Sequence, residues 1–407
     1  MARQRMNAQA LDILLLVAAL GVGALLWLPR LRGIPTWRAM VTPLASIIGS
    51  GFLIVGPVLE HAFGWLAPLA MAVLSLIAWL YGAAVRANIA RIGEGADPRP
   101  AADRRLETLA SAVLAFAYMI SVAYYLNLFG AFAVNLTPWD GPLAARCVTT
   151  AVFALILLTG WTRGFAALEG MEYVTVSVKL AIIAALLTGL AVFFAARAGE
   201  GALVLTPPRV TGIGALTLVM GLLVTVQGFE TARYLGQSYD VPTRIRSMKW
   251  SQWLSAAIYM VYILLLAYVF RPDQLAFSET AIVDMMAIVA PALPLLLVAA
   301  ALAAQFSAAV ADTSGSGGLL SELSRGRLTP RTAYALLTLV GLALTWAADV
   351  FEIISYASRA FAGYYALQAA LAAIGARRDG DGARATGFAL LATFGLGIVL
   401  FGQAVEG

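Results

Sequence analysis

The sequence predicts an all-α integral membrane protein of about twelve transmembrane helices, and three observations predict it. Of 407 residues, 61% are apolar and 12% charged, where soluble domains carry roughly one half and one quarter. Mean hydropathy is +0.85, and apolar runs long enough to cross the roughly 30 Å hydrocarbon core recur along the whole chain. The 27 basic residues gather mainly in short connections between those runs. Soluble catalysis, secretion and nucleic-acid binding are therefore poor readings, and the net charge of +5 reflects loop placement instead of a polyanion site.

Taken in order, apolar windows fall near 9–29, 37–59, 64–85, 107–134, 143–160, 172–196, 209–236, 250–270, 283–312, 331–348, 351–375 and 385–403. Connections are short. The most polar are 86–106, rich in arginine, glycine and proline, and 237–250; no soluble domain fits between spans. If the second span enters from the cytoplasm, one side collects Arg30, Arg32, Arg38, Arg86, Arg91, Arg99, Arg104, Arg105, Arg163, Arg244, Arg246, Lys249, Arg325, Arg327, Arg331, Arg377, Arg378 and Arg384. The other side holds only Arg3, Arg5, Arg146, Arg197, Arg209 and Arg271. By the positive-inside rule the first side is cytoplasmic. The expected localisation is a multi-pass protein of the plasma (inner) membrane with its C-terminus outside.

Residues 1–36 form an accessory unit, a helix that crosses or lies along the membrane surface. Arg3 and Arg5 precede an apolar stretch as in a signal peptide, but LWLPRLRG lacks a small-residue cleavage pattern. The helix is expected to be retained.

Two spans carry internal breaks. The second reads LASIIGSGFLIVGPVL, with Gly49, Ser50 and Gly51 at mid-depth and Gly56-Pro57 beyond; the seventh reads VTVQGFETARYLGQSYDVP, with Gly228 followed by Phe229, Glu230 and Arg233. A broken helix in a membrane frees backbone groups that protein, water or a ligand must satisfy. Paired breaks are the best sequence pointer to a transporter's binding site, because half-helix N-termini attract anions and open carbonyls hold cations. The glycines alternatively serve close helix packing alone. The breaks are 179 positions apart, and Lys179 and Arg359 are 180 apart. That spacing suggests five helices repeated, and an odd number inverts the second copy.

These residues resemble those of the amino acid-polyamine-organocation (APC) permease superfamily. IIGSGFLIVGP is similar to the glycine-rich signature of its first core helix, QGFETARYLGQSYDVPTRIRSM to its sixth-helix pattern, and LSRGRLTP to the basic turn after its eighth helix. The resemblance covers roughly 37–403. It implies the LeuT-type fold of five plus five inverted helices, with repeats at 37–197 and 198–376 and an extra C-terminal helix at 377–407. It also implies secondary transport of amino acids or related organic solutes.

Ionisable groups inside spans cost about 2.5–3.5 kcal/mol each on insertion scales, so each needs a partner or a cavity. The resemblance matches Lys179 to the fifth-helix lysine of sodium-independent members, whose ammonium stands where sodium-coupled relatives hold an ion. Thr313 and Ser314 resemble the hydroxyls that complete that sodium site. With the adjacent Asp312 they form the expected coupling site, where a lysine–carboxylate pair can exchange a proton; the bland alternative is a static salt bridge. Glu230 and Arg233, at i and i+3, either pair with each other or contact substrate. Arg359 either answers Glu230 or extends to an interface.

The expected solute site comprises Ser46, Gly49, Ser50, Gly51, Phe52, Gly228, Phe229 and Glu230. Amide donors on one side and open carbonyls on the other suit a zwitterion. The expected partners are a small amino acid or amine, the lipid bilayer and a coupled proton. His61 is read as an exposed interfacial residue and Cys147 as a small buried filler. One cysteine and one histidine leave no basis for a disulfide framework or a His-rich metal site. No cofactor fingerprint and no nucleophile–base set stands out, so neither a cofactor nor an enzyme is expected. Two further readings stand beside transport of organic solutes: an inorganic-cation carrier on the same fold, favoured by the hard oxygens of Asp312, Thr313 and Ser314, and a membrane scaffold or sensor without a transport cycle.

Overall fold

The computed structural model describes residues 2–93, 100–162, 172–271 and 278–404. Arg99 and Arg163 of the basic loops lie outside the described residues, as does the Ser50 side chain. Among the described residues the chain is helical without strands. The helices are α1 (Ala2–Leu26), α2 (Pro29–Arg32), α3 (Pro35–Ile47), α4 (Ser50–Phe63), α5 (Ala67–Gly93), α6 (Ala101–Asn135), α7 (Pro142–Thr162), α8 (Glu172–Gly199), α9 (Gly212–Gly221), α10 (Val241–Leu266), α11 (Ala281–Val289), α12 (Leu293–Leu323), α13 (Pro330–Ala347), α14 (Val350–Arg378) and α15 (Gly382–Phe401). Among the described residues, six stretches are long and apolar enough to cross a membrane: Gly51–Arg91, Ala101–Asn135, Pro142–Thr162, Tyr173–Gly199, Leu293–Leu323 and Gly382–Phe401.

The centre is built on α6, which packs along α12 and α14. Small residues on α12, among them Ala301, Ala308 and Ala309, are buried and let two backbones approach, as membrane helix pairs require in the absence of a hydrophobic driving force. Ser316 Oγ of α12 donates to the Ala115 carbonyl of α6 at 3.2 Å. Asp349 begins α14 with a capping box: its carboxylate accepts from Glu352 N at 2.9 Å, while Glu352 accepts from Asp349 N at 3.0 Å.

The accessory helix α1 lies along α8. Tyr173 of α8 donates its hydroxyl to the Leu26 carbonyl, and Arg32 sits 4.9 Å from the Trp27 ring centre. The opposite face of α1, with Ile13, Leu16, Val17 and Leu20, is exposed, as a lipid-facing stripe is.

Two expectations need correction. The apolar block at 283–312 is not one span: α11 ends at Val289, Ala290 is extended (φ −157°, ψ 142°), and α12 starts at Leu293 and continues to Leu323. Pro291 and Pro294 cause the division, since the residue before a proline is pushed out of the helical region and proline suits a helix's first turn. Cys147 is exposed, not a buried filler, because α7 is peripheral and turns most of its side chains outward. His61 is half-buried, with its ring 3.1 Å from Arg209 Nη1.

Candidate functional site

Both expected breaks are present. α3 stops at Ile47, Ile48 and Gly49 leave the helical region (ψ 55° and −137°), and α4 begins at Ser50. In the second, α9 gives way to a 3-10 turn at Leu223–Val226, then extended Gln227 and left-handed Gly228 (φ 116°), then a 3-10 segment at Phe229–Gln237.

The two breaks touch. A Cβ on Gly228 would lie 2.5 Å from Ser46 Oγ and 2.7 Å from Ile47 N, and one on Gly51 would lie 2.6 Å from the Thr225 backbone. Only glycine supplies both the clearance and, at Gly228, the positive φ. Close contact of two irregular backbones inside a membrane requires every freed polar group to find a partner. Side chains from three surrounding helices provide several. Lys179 Nζ of α8 donates to the Ala45 carbonyl at 2.8 Å, a cation at the C-terminal end of α3 where the helix dipole favours it. The Tyr259 hydroxyl of α10 lies 2.7 Å from the Thr225 carbonyl and 3.0 Å from the Ile47 carbonyl. Val224 N donates to Ser358 Oγ of α14 at 2.9 Å.

Glu230 closes the second break. Its Oε2 accepts from Gly228 N at 2.9 Å and from the Tyr365 hydroxyl at 2.6 Å, while Oε1 is buried without a hydrogen-bond partner. Arg233 does not answer it. The guanidinium instead binds Glu107 of α6 and Gln368 of α14, and Arg244 donates to the Arg233 carbonyl at 2.9 Å. Arg359 donates to the Val399 carbonyl at 2.6 Å, so it reaches α15 and not Glu230.

A cavity of about 330 Å³ opens between α3, α6, the 3-10 segment and α12. Its polar lining includes Ser46, Tyr118, Thr231, Tyr234 and Asp312, with Glu322 towards the C-terminal end of α12. Asp312 is 5% exposed, accepts from Ser121 Oγ of α6 and stands within electrostatic reach of Glu230. Asp312 lines the hollow, whereas Glu230 stays at the crossing of the two breaks and does not line it.

The structure brings together Ser46, Gly228 and Glu230 around the crossing and sets Asp312 in the adjoining hollow. It does not join Lys179 to Asp312 by an ion pair among the described residues: one caps α3, the other is held by Ser121. Thr313 Oγ1 donates to the Ala309 carbonyl of its own helix at 2.6 Å. Phe52 packs in T-shaped contact with Tyr259, with ring centres 5.4 Å apart, and Phe229 stacks on Tyr365 at 5.0 Å. Neither lines the cavity, and nor do Gly49 and Gly51. Tyr118 and Tyr234 are the lining aromatics. Tyr118, Ser121 and Tyr234 are not among the residues that the sequence singles out. A serine or tyrosine in an apolar run signals its role only when its neighbour across the bundle is known.

Comparison with known proteins places the chain in a family. A protein of Aquifex aeolicus (strain VF5), described only as uncharacterized, is 40% identical over 381 residues, which is 91% of each chain. The profile of a family described as an APC superfamily transporter matches residues 29–402, beginning after α1 and taking in both breaks and the cavity. This chain therefore belongs to the APC superfamily of transporters.

Proposed function

We propose that the protein is a secondary active transporter that moves amino acids or related ammonium-bearing solutes by alternating access, coupled to protons or operating as an exchanger instead of using sodium. On this reading residues 37–197 and 198–376 are two inverted five-helix repeats of LeuT type, with α1 and α15 as additions and the C-terminus outside. The observation that carries it is the contact of two interrupted helices at Ser46 and Gly228 beside a cavity lined by Asp312 and Tyr118. The Asp312 carboxylate suits an ammonium, Tyr118 and Tyr234 offer ring faces to it, and Glu230 Oε1 supplies a second acceptor at the crossing.

Lys179 supports sodium independence, since its ammonium already serves the carbonyl end of α3 that a bound cation would otherwise serve. Purified protein screened by thermal shift against amino acids, amines, and monovalent and divalent cations at two pH values tests the proposal. Stabilisation by zwitterions or amines is expected, whereas stabilisation by metal cations alone would overturn it.

A further inference from the structure

A second cavity, of about 340 Å³, lies outside the transport site in the cleft between α5 and α10. Its walls include Ser75, Leu76 and Trp79 from α5 and Trp253, Ala256 and Tyr259 from α10. Leu76 and Trp253 are 55% exposed, so the cleft opens sideways from the bundle to the surface that faces lipid. The two indoles meet with ring centres 5.1 Å apart.

The cleft has a polarity. On α5 the positions Ser75, Trp79, Gly82 and Arg86 share one face, and on antiparallel α10 Lys249, Gln252, Trp253 and Ala256 do so. Arg86 donates to the Gln252 side chain, which brings the basic ends of the two faces together. Both faces therefore run from a cationic end through a tryptophan level to an apolar slot.

The cationic end is not neutralised. Arg91, Arg233 and Arg378 each hold a carboxylate, Asp379, Glu107 and Asp103 respectively. Among the described residues no carboxylate pairs with Arg86. Its guanidinium lies over the Trp79 ring, 4.5 Å from the centre, and its Nη2 is 3.5 Å from the Trp79 carbonyl. Lys249, one helical turn before the Gln252 that Arg86 binds, is exposed. A partly buried charge of one sign with an aromatic belt and an apolar slot beneath is the shape of an amphiphile's complement.

We propose that the α5–α10 cleft is a binding site for an anionic phospholipid, with the phosphate on Arg86 and Lys249 and one acyl chain in the slot beneath the Trp79–Trp253 pair, along Leu76 and Ala256. The chain's inner end meets Ile47, Val226 and Tyr259, which also line the cleft. Tyr259 is the residue whose hydroxyl holds both broken helices, so an occupied cleft braces the crossing from behind.

The test uses full-length protein in nanodiscs of phosphatidylcholine, with or without phosphatidylglycerol, read by thermal unfolding and by native mass spectrometry of retained lipid. Phosphatidylglycerol is expected to raise the unfolding temperature and to remain bound. K249Q and R86Q should each weaken retention by about fivefold, the effect of one surface cation on an anionic lipid. A256W, which fills the slot but keeps both cations, should abolish retention. Inorganic phosphate and glycerol phosphate should not stabilise the protein. Equal retention by wild type, K249Q and A256W, or equal stabilisation by inorganic phosphate, overturns the site. Lys249 and Ala256 are not fully buried, so these two variants decide the matter if R86Q does not fold.

Discussion

Replacing Gly228 with alanine puts the crossing of the two interrupted helices under direct strain. The backbone there has φ 116°, which costs a residue with a Cβ about 1–3 kcal/mol. The added methyl would also meet Ser46 Oγ at 2.5 Å, Ser46 Cβ at 2.6 Å and Ile47 N at 2.7 Å. A serine rotamer relieves the first contact, but a main-chain nitrogen cannot move alone, so overpacking adds about 1–3 kcal/mol. The expected loss is thus about 2–6 kcal/mol, or a forced separation of the two half-helices that disrupts the adjoining cavity. Thermal unfolding in detergent and uptake into proteoliposomes, using a solute selected by the thermal-shift screen, measure the two consequences. Gly397→Ala is the comparator: no atom stands within 4 Å of its added methyl, so it should be neutral or slightly stabilising in a helix. S46G combined with G228A should recover only the part of the loss due to the Ser46 side chain and leave both the φ cost and the contact with Ile47 N, which stays in place. A G228A protein with wild-type unfolding temperature and uptake would refute the claim that the breaks meet through this glycine.

Three other outcomes are expected. Glu230→Gln keeps an oxygen for the Gly228 amide and the Tyr365 hydroxyl, so the fold should persist while uptake of an ammonium-bearing solute falls; unchanged uptake would show that the Glu230 carboxylate is not an acceptor for the solute. Arg233→Ala removes the ion pair between the 3-10 segment and Glu107 of α6, which is partly buried, and should destabilise the protein by about 1–3 kcal/mol in thermal unfolding, an effect that pairing it with Glu107→Gln reduces; equal losses with and without the second change would show that the ion pair is not the cause. Asp240 caps α10 by accepting from Thr243 N at 3.1 Å, and hydrogen bonds from the Thr243 hydroxyl and amide hold its carboxyl below the ordinary aspartate value. Because the folded pKa is the lower one, the cap's contribution is complete above the unfolded value near about 3.9 and disappears as pH falls through the folded value. Asp240→Asn should keep the cap and flatten that acid limb of a pH–stability curve; an unaltered limb would assign it to other carboxylates.

Much of the architecture follows from one-dimensional properties. Lipid demands long apolar windows, so α6, α7, α8 and α15 are visible as uninterrupted hydropathy, and glycine in mid-span marks both breaks because no other residue combines small size with backbone freedom. Hydropathy does not resolve the 281–323 region, since the window average passes over Pro291 and Pro294 while the chain cannot. The APC resemblance likewise rests on ordered local motifs that require no three-dimensional information.

What only the tertiary structure decides is which polar side chains meet. Lys179 and Asp312 looked like partners because both are costly in a membrane, yet burial cost says that a partner exists and not which one. Helix rotation about the long axis chooses it, directing Lys179 to the Ala45 carbonyl and Asp312 to Ser121. The same holds for Arg233, which passes over Glu230 three residues away for Glu107 across the bundle. In the Phe229–Gln237 segment the 3-10 winding changes the face on which each side chain emerges, and α-helical spacing no longer predicts neighbours. Composition and local pattern establish that this chain breaks two helices inside a membrane; the packing of the surrounding helices determines what those breaks hold.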